Sequence, residues 1–461
     1  MRTRLPAWWT VLVFGACLSP ALFAANPEPP KDAAPLTLAD LEQMALAGNP
    51  TLAQAATNVE ASRGRALQSG LYPNPTVGYT SELIGVQGTA GELQGLFIDQ
   101  AIVTAGKLRL NRAKFGQEVS QMEAQALAQQ YRVLNGVRTR YYQLLAMQRL
   151  LDVRADLLKV ADDAVTTTEQ LQNVGAANRP DVLASRIEAR QEKVALENAR
   201  ALYEAAWKQL AAFVGNACLP LGRLQGDLEA SGAAPDYDAA LAHLLEASPE
   251  LQVARSEVAR NQIGLKREQV EPIPNVQVQV ANGYDFETRN DVTSVQLGLR
   301  LPLFDKNQGN IHTARAQLAY AQQNVCRVEL SLRQRLARTY ARYRTALALV
   351  EEYRSHSLPD AKEAYELYLD SFRKRTAAWP QVLVAQRTYF QISVDYVEAQ
   401  EQLRRSETAI LGLLLVDGLD EPPGSPSEGR TPQREQGTDL PDPISGQGGR
   451  SLEDRTGGPG G

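Results

Sequence analysis

Histidine and cysteine are scarce in this sequence of 461 residues, with three of each. His243, His312 and His356 are scattered and Cys218 lies far from Cys326, so none of them forms a metal-binding or redox spacing. In an exported protein the two cysteines could form a disulfide, and two free, buried thiols are the alternative. An HExxH motif, a phosphate-binding glycine loop and a nucleophile elbow are also missing. We therefore expect no enzyme activity, no metal site and no cofactor.

Basic stripes and aromatic residues are also limited. The formal net charge is -5, and no basic segment with interleaved aromatics is present, so we expect no nucleic-acid partner. Aromatic residues make up 6% of the chain, whereas Ala, Gln, Leu, Glu and Arg crowd long tracts. This composition indicates long helices rather than a compact enzyme core.

The N-terminus has the pattern of a secretory signal, with two arginines, an apolar run over residues 8–18 and then small residues. We predict cleavage after Ala24, which gives a signal peptide over 1–24 and a linker over 25–35. The alternative is a lipoprotein signal in which Cys17 is acylated. The mature chain has no apolar run long enough for a transmembrane helix, so membrane insertion would require strands closed into a barrel.

Residues 275–303 contain two runs in which apolar and polar residues alternate strictly. Because side chains alternate across a strand, each run has one apolar and one polar face. The turn-like sequence NGYDFETRND between the runs predicts an antiparallel hairpin, with arms long enough to cross a bilayer at a tilt. A soluble hairpin packed on a core is the alternative. In the membrane interpretation, the lipid-facing residues are Val276, Val278, Val280, Val295, Leu297 and Leu299, and the lumen-facing residues are Gln277, Gln279, Gln296 and Arg300.

The sequence repeats itself at an offset of about 200 residues. The segment NPTL at 49–52 recurs as SPEL at 248–251, and RPDVL at 179–183 recurs as WPQVL at 379–383. An offset held this closely between distant landmarks predicts two tandem repeats. The predicted domains are a first repeat over 36–214, an inter-repeat linker over 215–235, a second repeat over 236–416, and a disordered Pro/Gly-rich tail over 417–461.

Both repeats have the same predicted order of elements. A first helix (36–71 or 236–270) precedes the hairpin (about 76–102 or 276–303), a very long helix (107–173 or 310–372) and a returning helix (181–214 or 381–416). Apolar residues at seven-residue intervals in the long helices predict supercoiled packing. The first and last helices together match the long helix, which would approach about 100 Å at the usual rise per residue. We therefore expect two stacked short helices to run antiparallel to each long helix.

Four strands per chain are too few for a closed transmembrane barrel, which needs at least eight. The membrane interpretation therefore requires an oligomer, and three chains would supply 12 strands around a water-filled pore. The competing interpretation is a periplasmic or surface coiled-coil structural or adaptor protein whose hairpins form a small soluble sheet.

Several motifs, in their order and spacing, resemble the TolC family of outer-membrane efflux proteins (outer membrane factors). They are NPTL, the PNP before the first strand, QAIVTAGKLRLNR after the second strand and LPLFDKNQGNI in the second repeat, and the resemblance covers about residues 36–416. It implies a mainly α-helical homotrimer whose shared 12-stranded β-barrel lies in outer-membrane lipid and continues as an α-barrel through the periplasm. It also implies two partners, a periplasmic adaptor (membrane fusion protein) and an inner-membrane pump. The motif QAIVTAGKLRLNR is similar to the branch paired with RND-type heavy-metal and drug pumps, and the implied function is passive export of small molecules or metal ions.

The family's adaptor docks at the periplasmic tip, where the long helix meets the returning helix. The family pattern VGxxxxxDVL is present at residues 174–183, and the second copy keeps only its last two residues. The resemblance thus implies docking residues Val174, Gly175, Asp181, Val182, Leu183, Val382 and Leu383. A purely structural role is the alternative, with Gly175 as a helix C-cap and Asp181 as an N-cap.

Charged residues at the same tips could close the tunnel as a ring contributed by three chains. The possible gate residues are Arg179, Asp181, Arg373, Lys374 and Arg375. A solvated basic helix end, favoured by the helix dipole, is the alternative.

Overall fold

The computed structural model describes residues 36–82, 93–229 and 236–420, together with residue 422. The predicted signal peptide, the linker over 25–35 and the possible lipidation site Cys17 lie outside the described residues. The same holds for the end of the 215–235 linker and nearly all of the predicted tail.

The described chain is mostly helical and contains one small sheet. The helices are α1 Leu38–Gly48, α2 Pro50–Gln68, α3 Lys107–Asn173, α4 Arg179–Phe213, α5 Tyr237–Ala247, α6 Pro249–Val270, α7 Gln308–Glu352, α8 Leu358–Arg373 and α9 Trp379–Leu411. The strands are β1 Thr76–Glu82, β2 Leu93–Ile102, β3 Val276–Asp285 and β4 Asn290–Leu299. Two short helices, a hairpin, a long helical segment and a returning helix therefore follow one another twice.

Asn49 and Ser248 each interrupt what the sequence analysis predicts as a single first helix. Both have extended backbone, with φ -76° and ψ 119° for Asn49 and φ -60° and ψ 119° for Ser248. Each precedes a proline, whose ring drives the preceding residue out of the helical region. Pro50 and Pro249 then begin the next helix, where a missing amide hydrogen costs nothing. The single helices predicted over 36–71 and 236–270 are therefore wrong.

The two long helical segments differ from each other. Helix α3 has the predicted bounds and 67 residues, which corresponds to a length of about 100 Å. The segment predicted over 310–372 is instead divided by a π-helical turn, Tyr353–Ser357, between α7 and α8. Pro359 follows this turn closely and cannot donate a helical hydrogen bond. The helix absorbs the proline through a locally widened turn, and the prediction of one regular helix is wrong there.

The helical part is held together by apolar side chains between the long helices and their shorter neighbours. Helices α2 and α4 pack along α3, and α6 and α9 pack along α7. One core joins α1, α3 and α4 through Leu41, Val137, Leu144, Trp207 and Phe213, each at most 2% exposed. Val137 and Leu144 are two of the residues spaced by seven, so this part of the predicted heptad stripe faces a core.

The four strands form one antiparallel sheet in the order β1-β2-β3-β4. Strand β3 continues to Asp285, into the segment predicted as the turn, because a tight turn over residues 286–289 is sufficient to reverse the chain. Asp285 closes this turn by accepting hydrogen bonds from the Glu287 amide (2.9 Å) and the Thr288 hydroxyl (2.7 Å). Strand β4 ends at Leu299, so the last four residues of the predicted hairpin lie outside the sheet.

Candidate functional site

Lys107 connects the sheet to the helices. It is the first residue of α3 and is 3% exposed. Its ammonium group donates to the Ile273 carbonyl at 2.7 Å and to Asn275 Oδ1 at 3.2 Å, just before β3. Burial lowers the pKa of Lys107, and the nearby Glu271 carboxylate offsets part of this effect. The N-terminus of α3 is thereby fixed against the segment that leads into β3, a contact that the sequence did not predict.

One face of the sheet is apolar and exposed. Cross-strand pairing places Val77, Ile98, Val280 and Val295 in one row across all four strands. The six residues predicted to face lipid lie on this same face, because Val276 pairs with Leu299, Val278 with Leu297, and Val280 with Val295. Leu297 is 70% exposed and Val77 69% exposed, whereas Val276 and Val278 are half-buried. An exposed and largely apolar face of this kind, interrupted by Gln100 in the row of Val278 and Leu297, is typical of an interaction surface.

The opposite face is polar at the same level. Thr76, Asp99, Gln279 and Gln296 form one cross-strand row there. Gln277 Nε2 donates to Asp99 Oδ2 at 2.7 Å, while the buried Oδ1 atom of Asp99 has no hydrogen-bond partner. Asp99 was not among the residues predicted to face the lumen, although its alternation with Ile98 in the sequence predicts the polar face for it. Arg300 lies beyond the end of β4, so strand pairing does not fix the face of the sheet to which it belongs.

Both outer strands of the sheet have an open edge. Among the described residues, β1 pairs only with β2, and β4 pairs only with β3. An edge of this kind presents unpaired backbone amides and carbonyls to any further strand.

The turn between α3 and α4 is built around a left-handed glycine. Gly175 has φ +70°, and the next amide, of Ala176, donates to the Leu171 carbonyl at 2.7 Å. This is the hydrogen bond of a Schellman C-cap, as predicted for Gly175. Asn178 is the N-cap of α4, and Asp181 is its third residue, whose carboxylate accepts from the Asn178 amide at 3.0 Å. The prediction of Asp181 as the N-cap itself is wrong, since it is the second partner of a capping box.

The turn between α8 and α9 repeats this geometry 200 positions later. Arg375 has φ +63° where the first turn has glycine, and Thr376 donates to the Ser371 carbonyl at 2.9 Å. Gln381 Oε1 accepts from the Ala378 amide at 3.2 Å and so takes the part of the missing acid. The two turns therefore share the same contact, in which the third helical residue accepts a hydrogen bond from the N-cap amide.

The two turns pack against each other through a shared apolar cluster, which we call the tip cluster. Its buried members are Ala164, Ala177, Tyr365, Phe372, Trp379, Val382 and Ala385. Burial raises the pKa of Tyr365 to about 12. The cluster fixes both turns at one end of the helical part.

The predicted docking residues divide into exposed and buried groups. Val174 is 64% and Leu183 45% exposed, whereas Val182 is 4% and Val382 0% exposed. Gly175 is also exposed, and Asp181 and Leu383 are half-buried. Val182 and Val382 therefore stabilise the tip from within and do not form its outer surface.

The predicted gate residues lie on the outside of the same two turns. Arg179, Arg373 and Arg375 are exposed. Lys374 forms an ion pair with Asp370 one turn earlier in its own helix, and Asp181 is engaged in the capping box. The structure thus brings the cations to one end of the molecule, with one of them already paired.

The two cysteines of the described chain are free and exposed. The alternative of buried thiols is therefore wrong, because Cys218 lies in the loop after α4 and Cys326 on the solvent side of α7. Among the residues that the structure describes, no three His, Cys, Asp or Glu side chains come together in a way that could hold a metal ion.

Within the described ranges, none of the helices combines the length and apolar character needed to cross a membrane.

Similarity to known proteins identifies the family of this chain. A family model described as outer membrane efflux protein matches residues 41–216 and 240–414. The chain belongs to the outer membrane efflux protein family. The resemblance found in the sequence is thereby confirmed, and this member of the outer membrane efflux protein family is an outer-membrane channel that extends into the periplasm and serves efflux.

Individual relatives agree with this assignment. The chain is 25% identical over 384 residues to the cobalt-zinc-cadmium resistance protein CzcC of Cupriavidus metallidurans, covering 83% of this chain and 90% of that protein. Its fold is similar to that of the outer membrane protein VceC of Vibrio cholerae, with a TM-score of 0.69, 18% identity and coverage of 83% and 97%. It is also similar to that of the CmeC outer membrane channel of Campylobacter jejuni, with a TM-score of 0.65, 15% identity and coverage of 83% and 86%.

Proposed function

We propose that three copies of this chain form the outer-membrane duct of a tripartite efflux system. The observation that carries this proposal is the four-stranded sheet with an exposed apolar face and two open edges, β1 and β4. Backbone groups left unpaired in hydrocarbon are costly, so such a sheet is stable in a bilayer only when closed. Joining β4 of one copy to β1 of the next gives a closed 12-stranded barrel with three-fold symmetry.

In this assembly the apolar face of the sheet contacts lipid and the polar face lines the lumen. Leu297 and Val295 then lie in the hydrocarbon region, and Gln277, Gln279 and Gln296 face water. Asp99 joins the lumen residues through its position in the polar row. The long helices continue below the barrel as a trimeric α-barrel.

We further propose that the chain arose by duplication of a unit of about 200 residues. The family model matches two separate segments, and the left-handed residues of the two turns, Gly175 and Arg375, are 200 positions apart. The proposed repeats span 36–214 and 236–416, joined by 215–235.

The tip is the proposed docking surface for a periplasmic adaptor. The exposed docking residues Val174 and Leu183 would provide apolar contacts next to Gly175. Arg179, Arg373 and Arg375 from three copies would form a ring of positive charge that holds the resting aperture shut and biases which ions pass, so passage of cations would require the tips to open. An inner-membrane pump of the RND type would supply the energy, so the duct itself performs passive export without enzyme chemistry or a cofactor.

The proposed cargo includes divalent metal ions. This rests on the similarity to CzcC, which is named a cobalt-zinc-cadmium resistance protein. In the proposed duct, the lumen face of the sheet, with Asp99 and its glutamines, is compatible with hydrated cations.

Cross-linking at the open edges tests the assembly. In a Cys218→Ser/Cys326→Ser background, Leu297→Cys on β4 is combined with Val77→Cys or Tyr79→Cys on β1, all on the same face. Oxidation of outer-membrane fractions should give covalent dimers and trimers for the double-cysteine chains. The corresponding single-cysteine chains should not give this series of cross-linked species. Leu67→Cys on α2, which is 59% exposed, is the matched control away from the sheet. A monomer in the soluble periplasmic fraction, with no edge cross-link, would contradict the proposal.

A further inference from the structure

A basic cleft lies between α3, α7 and α9, away from the sheet and the tip. Its volume is about 430 Å³. The charged residues of its lining are Arg140, Arg335, Arg338, Arg342, Arg405 and Asp417. Five guanidinium groups thus share one cavity with one carboxylate, an arrangement that neither the family assignment nor the proposed duct requires.

Much of this positive charge is not neutralised by the described chain. Arg335 pairs with Glu250 of α6, and Glu401 lies close enough to Arg405 for its pKa to be influenced by that charge. Within the described ranges, no carboxylate lies at ion-pair distance from Arg338 or Arg342.

The spacing of these arginines on α7 raises their mutual repulsion. Arg338 and Arg342 are four residues apart, and Arg335 is one turn before Arg338, so all three share a helix face. Like charges at this spacing destabilise a helix unless a counter-charge compensates them. A bound anion would remove that penalty for Arg338 and Arg342, since Arg335 is already paired with Glu250.

Arg140 is held in place on the opposite wall. Its guanidinium carbon lies 4.0 Å from the centre of the Phe213 ring, and Nη1 donates to the Gly136 carbonyl at 3.2 Å. Burial lowers the pKa of Arg140, and Asp417 offsets part of that effect. A cation that is already desolvated and oriented gains strongly from an anionic ligand and loses little conformational entropy on binding it.

We propose that this cleft binds a phosphate-type oxyanion from solution. The planar guanidinium group of arginine matches the geometry of phosphate, and two of its N–H groups can donate to two phosphate oxygens at once. The volume lies within the range of small-ligand sites and leaves room for a hydrated phosphate group. Divalent cations are repelled by the same charges, so the site is distinct from any path for metal cargo and does not rest on the proposed function.

Calorimetric titration of the full-length protein in detergent with inorganic phosphate tests the proposal. Wild type should bind phosphate saturably, with sodium chloride at equal ionic strength as the reference. Arg338→Gln/Arg342→Gln should weaken binding at least tenfold. Arg344→Gln removes the same kind of charge from an exposed position of α7 outside the cleft and should leave affinity unchanged. A rise in the thermal midpoint with phosphate, present in wild type and lost in the double variant, is the second readout.

Further variants and probes keep the test decisive. If the double variant does not fold, Arg338→Lys retains the charge without the fork and should weaken binding severalfold. Vesicles that contain phosphatidic acid should leave bound phosphate in place, because Arg140 lies about 50 Å along α3 from Lys107 at the sheet. Displacement of bound phosphate by these vesicles would overturn the assignment to an oxyanion from solution. Absence of saturable phosphate binding to wild type, or an equal loss in Arg344→Gln, would overturn the proposal.

Discussion

Arg387 of α9 forms a paired contact with Glu188 of α4, its Nη2 and Nε atoms lying 2.7 and 3.0 Å from the same carboxylate oxygen. The Glu188 side chain is 7% exposed and that of Arg387 61%. Glu188 raises the pKa of Arg387 through this hydrogen bond and its charge. The pair therefore ties the two returning helices together above the tip cluster, with its acid buried and its base at the surface.

Arg387→Met should destabilise the helical part by about 1–3 kcal/mol, because it leaves a buried carboxylate without a partner. Arg186→Met breaks the pair with Glu169, whose two side chains are 50% and 42% exposed, and should cost less than about 1 kcal/mol. Thermal midpoints measured by circular dichroism compare the two. Adding Glu188→Gln to Arg387→Met should recover part of the loss, and equal effects of the two single variants would show that burial of Glu188 is unimportant.

Leu297→Arg should impair assembly, since a charge on the lipid face near the midplane of the bilayer costs roughly 2–4 kcal/mol. Gln279→Arg places the same side chain on the polar face of the neighbouring strand and should assemble normally while changing single-channel conductance. The yield of heat-labile trimers in outer-membrane fractions measures the first effect, and planar-bilayer recording measures the second. Equal loss of trimers in both variants would refute the assignment of the two faces.

Gly175→Ala should destabilise the tip by about 1 kcal/mol, because a side chain disfavours the left-handed backbone. A Cβ atom at Gly175 would meet no atom within 4 Å, so the cost comes from φ +70° and not from a clash. Arg375→Gly should have the opposite sign, as it places glycine at φ +63°. Arg373→Gln removes a charge two positions earlier in the chain without this backbone benefit. Protease sensitivity of the turns measures the effects, and a stabilising Arg373→Gln would attribute the gain to charge.

Glu401→Gln should stabilise the protein near neutral pH. Burial raises the pKa of Glu401 above its ordinary value of 4.5, although Arg405 lowers it again in part. Because the folded state holds this proton more tightly than the unfolded state, the stability that it contributes is full below pH 4.5 and is lost as pH rises through the folded pKa. The gain from the glutamine variant should therefore grow with pH and vanish below about pH 4. A gain independent of pH would point to packing instead of ionisation.

The sequence predicted the strands and turns well because their signals are local. Alternation placed Val276–Val280 and Val295–Leu299 on strands, and Gly175 marked a helix end through its freedom at positive φ. Arg375 adopts the same backbone without that signal, since the tip cluster imposes the turn.

The features that the sequence did not predict have two causes, local backbone effects next to proline and contacts between distant parts of the chain, which no local pattern contains. The helix breaks at Asn49 and Ser248 were missed although the rule for residues before proline applies to both. Pro359 shows why the rule is incomplete. The residue before it, Leu358, remains helical and follows a π-helical turn. Other features, by contrast, depend on how the helices pack. They are the burial of Val182 and Val382 and the clustering of arginines in the basic cleft.

In the proposed trimer, the open edges of β1 and β4 would make each copy depend on its neighbours for closure of the barrel. In a ring of three, a subunit with one spoiled edge leaves a gap that intact partners cannot mend. If damaged and intact copies are produced in equal amounts and mix at random, only about one ring in eight is free of the defect. A mutation that damages one edge strand would therefore be dominant over the intact gene. Deletion of one of two gene copies would not be, because all remaining subunits would be intact.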